Sequence, residues 1–320
     1  MHGAEKVEMI KQVELIYGVD VIEGLKQLQS ESVHCVVTSP PYWGLRSYGV
    51  DGQLGLEKTP EEFVLKMVEV FREVKRVLRK DGTLWLNLGD SYAGSGKGPT
   101  GVSGIGDQKK RQGFDSPKVV IPNGLKQKDL VGIPWRVALA LQSDGWYLRS
   151  DIIWSKPNPM PESVTDRPTK AHEYIFLLTK SAKYFYDAEA IKEEGNSSEY
   201  DKHERKSGRM DGTKYLKDGK GQTKTGDSFG IGTAFRNKRT VWEITTQSYS
   251  GSHFATFPEA IPEICIKAGC PQLGVVLDPF SGSGTTGEVA VKLGRNYIGI
   301  DLNKKYEALA KKRIGLFACV

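Results

Sequence analysis

The sequence predicts an α/β fold: a doubly wound, mostly parallel sheet with helices on its faces. Three observations predict it. Short, β-branched apolar runs alternate with helical stretches along most of the 320 residues. Two of these runs stop at sharply defined motifs, Thr38-Ser-Pro-Pro-Tyr42 and Asp278-Pro-Phe-Ser-Gly-Ser-Gly-Thr-Thr-Gly287. The second motif stands between a strand and a helix, where open α/β sheets hold nucleotides. With 38% hydrophobic residues the chain can bury a proper core.

The elements follow in order. Val13–Tyr17 reads as a strand, with Asp20 and a short helix over Val21–Leu28 behind it. Val33–Val37 is an apolar run typical of a buried strand. Proline cannot continue a ladder, so Ser39 and Tyr42 fall just past its carboxyl end. Pro60–Lys80 is amphipathic, with Phe63, Met67, Val70, Phe71, Val74 and Leu78 at helical spacing. Thr59 and Glu62 suit a capping box, and Asp81-Gly82 a helix end. Thr83–Leu88 is the next strand, then a helix over Gly132–Ser143 and strands over Tyr147–Ser155 and His172–Thr179. Structure resumes at Val241–Ile244. It continues with a helix over Pro258–Ala268, a strand over Gly274–Leu277 and a helix over Glu288–Leu293. A strand over Tyr297–Ile300, Asp301 and a helix over Lys304–Arg313 complete the series. His34, Trp85 and Trp242 read as core residues.

Charge is unevenly placed. Residues 202–240 carry eleven Lys/Arg against four Asp/Glu, and residues 97–128 seven against two. Since the whole chain is only +6, the remainder is acidic. Both segments are rich in Gly, Ser and Lys and suit loops that meet a polyanion. The four cysteines form no CxxC pair or zinc-finger spacing, which argues against metal. Cys270-Pro271 is the reverse of the Pro-Cys order of a cysteine nucleophile acting on cytosine C5. No run approaches the ~20 apolar residues of a membrane span. The charged start lacks a signal-peptide core, so a cytoplasmic, DNA-associated location is expected.

Gly282, Gly284 and Gly287 spell GxGxxG, and Asp301 lies 19 residues beyond Gly282. Glycines admit a cofactor close to the backbone, and the acid at the next strand tip can take ribose hydroxyls. Nicotinamide enzymes share that pattern. Asp278-Pro279-Phe280 separates the two, since a carboxylate there suits a methionine ammonium and would repel a pyrophosphate. Ser39-Pro40-Pro41-Tyr42 has its own chemistry. An exocyclic amine is a poor nucleophile because its lone pair is delocalised into the ring. The Ser39 hydroxyl and the Pro40 carbonyl can accept its hydrogens, and Tyr42 can stack on a base taken out of the duplex.

The two motifs, in this order and about 240 residues apart, resemble the β-class DNA amino-methyltransferases from Tyr17 to Arg313. The resemblance implies a Rossmann-like, circularly permuted methyltransferase fold and S-adenosyl-L-methionine as cofactor, leaving S-adenosyl-L-homocysteine. It implies catalytic roles for Ser39, Pro40, Pro41 and Tyr42. Cofactor contacts would come from Asp20, Thr38, Phe254, Thr256, Asp278, Pro279, Phe280, Gly282, Ser283, Gly284, Thr285 and Asp301, with no metal. Asp20 matches the acidic position near the adenine, and Asp301 the ribose acid. Ser39 resembles the cytosine-N4 enzymes, where adenine-N6 members carry Asp; methylation of RNA or of a protein amide is a more remote alternative. The implied organisation is a catalytic part over 1–186 with a basic loop at 93–130, a target-recognition insert over 187–240 and a cofactor-binding part over 241–320. Double-stranded DNA is the expected partner. The sequence leaves open a cognate restriction endonuclease, and monomer or homodimer.

Overall fold

The computed structural model describes residues 12–44, 49–94, 121, 124–195, 235–247 and 257–315. The chain divides into two compact units, Met1–Tyr186 with Thr240–Val320, and Asp187–Arg239. Most of both basic segments, Phe254 and Thr256 lie outside the described residues.

The larger unit is built on one eight-stranded sheet. Its strands are β1 (Val13–Tyr17), β2 (Val33–Thr38), β3 (Leu78–Leu88), β4 (Tyr147–Ser155), β5 (His172–Thr179), β8 (Val241–Glu243), β9 (Val275–Asp278) and β10 (Asn296–Asp301). They lie in the order β1-β10-β9-β2-β3-β5-β4-β8. The first five are mutually parallel, β5 is antiparallel to both its neighbours, and β8 is parallel to β4. The doubly wound, mostly parallel sheet is therefore present. β1 and β10 lie side by side with Tyr17 opposite Asp301, which joins the two ends of the sequence in one sheet. In the smaller unit, β6 (Glu193–Glu194) pairs antiparallel with β7 (Phe235–Arg236), and Glu193 accepts hydrogen bonds from Arg236 and Arg239.

The helices are α1 (Val21–Lys26), α2 (Pro60–Val77), α3 (Ile133–Ser143), α4 (Ala260–Gly269), α5 (Thr285–Lys292) and α6 (Tyr306–Ile314). The predicted face of α2 is buried: Phe63, Met67, Val70, Phe71 and Val74 pack in one core with Val36, Leu84, Leu86 and Phe176. Thr59 caps this helix by accepting from the Glu62 amide at 3.1 Å. Glu62 reaches back to the Lys58 amide rather than to that of Thr59.

The end of α2 differs from expectation. Leu78 leaves the helix in an extended conformation and starts β3 opposite Val33. Its fully buried side chain gains more from the sheet than from another helical turn. Asp81-Gly82 thus belongs to a strand whose register shifts between Val33 and Cys35, and is not a helix cap. α5 begins three residues earlier than its apolar pattern suggests, because left-handed Gly284 starts it. Trp85 and Trp242 are buried neighbours at 6.3 Å, and His34 Nδ1 accepts from the Val275 amide. Cys35, Cys265 and Cys270 are free and buried. No described helix is long and apolar enough to cross a membrane, and the described residues hold no metal-ligating cluster.

Candidate active site

Four parallel strands, β1, β10, β9 and β2, end at one edge of the sheet. Chain order breaks between β9 and β2, the position where open α/β sheets form a crevice. A cleft opens there. Its lining includes Asp20, Ser39, Pro41, Asp278, Pro279, Phe280, Gly282, Ser283, Thr285 and Asp301. The fold thus gathers residues predicted from motifs about 240 positions apart.

Asp278 is the most constrained of them. It is 2% exposed. Oδ1 accepts from Thr38 Oγ1 at 2.7 Å and the Phe280 amide at 3.0 Å, and Oδ2 from Thr286 Oγ1 at 2.8 Å. Burial nevertheless outweighs these donors and pushes its pKa up to about 6. The described residues provide it with no ion-pair partner. Asp301 faces the same cleft, holding the Gly282 amide on Oδ2 and the Asn303 amide on Oδ1, both at 2.8 Å. Burial raises its pKa too.

The three glycines of the turn serve different ends. Gly282 has φ +53° and open space where a side chain would point, so the backbone faces the cleft uncovered. Gly284 has φ +83°, a conformation that disfavours side chains, and starts α5. At Gly287 a Cβ would come within 2.5 Å of the Tyr297 ring, so this glycine lets α5 lie close on β10. Ser281 ties the turn to β1 and β10 through Tyr17 and Tyr297, each at 2.7 Å.

Some predicted residues stand back from the cleft. Thr38 is buried and commits its hydroxyl to Asp278. Asp20 caps α1 by accepting from the Ile22 and Glu23 amides, while still lining the cleft. Ser283 lines the cleft and accepts from Arg313. Pro40, Tyr42 and Gly284 are not part of the lining. Trp43 packs against the core and donates to the Glu57 carbonyl.

The Ser-Pro-Pro-Tyr turn carries a polar network. Ser39 donates to the Tyr42 hydroxyl at 3.3 Å, and Tyr42 donates to Glu173 Oε2 at 2.6 Å. Asn87 joins both Tyr42 and Glu173. Lys156 pairs with the other oxygen of Glu173. The sequence does not mark Glu173 or Asn87. Glu173 precedes the apolar run of its strand, and only the antiparallel direction of β5 brings that amino-terminal end to the edge where the parallel strands end. The opposite cleft wall, Val50, Gly52, Gln53 and Leu54, carries no motif either. Asn303 and Tyr306 were legible only as neighbours of Asp301.

Against known proteins, the family model for N6 and N4 methyltransferases, described as DNA methylase, matches residues 33–312. The chain belongs to this DNA methylase family. It is similar to the type II methyltransferase M.SmaI of Serratia marcescens, with 47% identity covering 95% of this chain and 91% of the relative. M.Cfr9I of Citrobacter freundii is 45% identical, over 98% of this chain and 91% of that protein. Among solved structures, the cytosine-N4-specific PvuII DNA methyltransferase shares the fold with a TM-score of 0.62 at 18% identity. That match covers 96% of this chain and 90% of the other. Family membership makes this protein a DNA methyltransferase of the N4/N6 class that uses S-adenosyl-L-methionine.

The cleft suits that cofactor. A buried carboxylate with no cation among the described residues, an uncovered glycine backbone and a second acid at the next strand tip match an ammonium, a closely approaching chain and ribose hydroxyls.

Proposed function

We propose that the protein methylates the exocyclic N4 of cytosine at a specific site in duplex DNA, on a base turned out of the helix. One observation carries this reading. Ser39 and Asp278, at the carboxyl ends of adjacent strands β2 and β9, line the same cleft. In the family this chain resembles, Ser at position 39 goes with cytosine N4 and Asp with adenine N6.

S-adenosyl-L-methionine, when bound, supplies an electrophilic methyl group on a sulfonium. The chain's own residues do the rest. Asp278 would hold the ammonium, Asp301 the ribose and Asp20 the adenine side, with Phe254 and Thr256 as further contacts. Ser39 Oγ and the Pro40 carbonyl would accept the amine hydrogens, leaving the nitrogen lone pair to attack. Pro41 fixes the turn, and Tyr42 offers the base a flat face. No covalent enzyme intermediate is needed, so positioning and fixed dipoles supply the rate enhancement. The segment 187–240 would read the target sequence and the loop 93–130 would meet phosphates, making binding steeply salt-dependent. Pairing with a restriction endonuclease in the cytoplasm is consistent with the type II relatives.

The test is mass spectrometry of nucleosides from plasmid DNA of cells expressing the protein. N4-methylcytosine is the expected product, absent with Ser39→Ala. N6-methyladenine instead would keep the class and remove Ser39 as the selector of the base.

A further inference from the structure

The proposed reading uses Ser39 as an acceptor, but a hydroxyl can equally donate. Something must fix its direction. We propose that Glu173 is a positioning residue that orients the Ser39 hydroxyl through Tyr42, so that the serine lone pairs face the target amine. This rests on the reading of Ser39 given above.

The hydrogen-bond chain has one consistent direction. Lys156 pairs with Glu173 Oε1, and its ammonium sits 4.2 Å from the centre of the Trp154 ring. Trp154 is itself buried and fixed by its bond to the Ile244 carbonyl at 2.8 Å. A carboxylate paired in this way accepts only. Its Oε2 receives Tyr42 Oη at 2.6 Å and Asn87 Nδ2 at 3.2 Å. Asn87 cannot reverse its amide without loss, because Nδ2 also donates to the Tyr174 carbonyl at 3.1 Å. Its Oδ1 therefore presents a second acceptor to the Tyr42 hydroxyl, at 3.1 Å. Both neighbours demand the one Tyr42 hydrogen, so toward Ser39 the tyrosine oxygen can only accept. Ser39 spends its single hydrogen there, at 3.3 Å, and keeps its lone pairs for another donor.

Tyr42 has no easy alternative position. Its ring lies directly on Gly89, where a Cβ would overlap the ring edge. The fold also explains why the acid comes from β5. Glu173 sits opposite Trp154 on β4, one residue from the strand start, so the antiparallel strand brings it to the edge where β2 and β3 end.

Glu173→Gln is the test, because it keeps the size and reverses the polarity. Lys156 takes the amide oxygen, and the NH2 group then points hydrogens at both the Tyr42 oxygen and Asn87 Nδ2. Asn87 therefore turns its oxygen to the new amide and its NH2 to Tyr42, and the tyrosine, with donors on both sides, gives its hydrogen to Ser39. Single-turnover methylation by E173Q is expected to fall about 100-fold, the scale of losing one aligned donor or acceptor. Cofactor and DNA dissociation constants should stay within about threefold, which a general loss of structure would not allow. Tyr42→Phe keeps the ring and cuts the chain, so it should lose a similar factor. In Y42F/E173Q the second substitution should add less than about threefold, since the route to Ser39 is already gone. E173Q turning over within threefold of wild type overturns the proposal, as does a double mutant whose loss is the product of the single losses. If E173Q does not fold, Y42F decides alone, and near-normal turnover overturns the proposal. Ser39→Ala separates the two readings. Normal turnover in S39A removes the acceptor role and the orientation with it, whereas an inactive S39A beside an active E173Q removes the orientation only.

Discussion

Asp278 and Glu173 are two carboxylates beside the same Ser-Pro-Pro-Tyr turn, and their surroundings are opposite. Asp278 is surrounded by hydroxyls and an amide, with no ion pair among the described residues. Glu173 has Lys156 on one oxygen and two donors on the other. Burial with no cation among the described residues makes Asp278 costly to ionise, by about 3 kcal/mol for a shift from 3.8 to about 6. A stability-optimised core would not keep such a group. Its charge becomes useful when a cation arrives in the cleft. Glu173 has its cation already, so it has little to offer a charged ligand and much to offer a hydroxyl that must be aligned.

The contrast can be broken at either carboxylate. The largest effect is expected at the network ending on Glu173. Ser39→Ala should lower turnover by about 1000-fold while the cofactor dissociation constant, measured by calorimetry, stays within about threefold. Loss of cofactor binding in S39A would mean the two regions are not separate. At the other end, Asp278→Asn should weaken cofactor binding about 100-fold, a loss typical of an unpaired buried cation. The empty protein should not melt earlier at neutral pH, because the substitution removes a buried charge that burial disfavours.

The next effect is a pH dependence belonging to Asp278. Its folded pKa lies above the unfolded value, so its contribution to the stability of the empty protein is full below about 3.8. It is lost as pH rises through about 6. Binding of a cation has the opposite preference, for the ionised form. Cofactor affinity should therefore be nearly flat above pH 7 and about tenfold weaker at pH 5. Affinity unchanged between pH 5 and 7.5 would show that Asp278 does not meet the cationic part of the cofactor. The smallest effect is a control within the glycine turn. Gly287→Ala must displace the Tyr297 ring, and should cost about 1–3 kcal/mol of stability by overpacking. Cofactor affinity of the protein that remains folded should be unchanged, since Gly287 faces β10 and not the cleft.

The centre of the sheet was legible because its strands are buried on both faces. Val33-His-Cys-Val-Val37 and Gly274-Val-Val-Leu277 are continuous apolar runs that end in residues unable to continue a ladder. The end of α2 was not legible. Helical spacing continues through Leu78, and only the place beside Val33 in the sheet turns that residue into a strand. Asp278 could be singled out by its motif. Nothing in the sequence showed that Thr38, 240 positions away, would bond to it rather than face the cleft.

Local sequence by itself determined the strand ends, the glycine turn and the Ser-Pro-Pro-Tyr turn. These follow from backbone chemistry within a few residues: proline lacks an N–H, and glycine alone tolerates the left-handed positions easily. Tertiary structure alone decided which charges are paired. A strand's direction in the sheet depends on partners far away in sequence, and the reversal of β5 gives Glu173 its place beside Tyr42. The same long-range pairing sets β9 beside β2 and leaves Asp278 buried at the floor of the cleft.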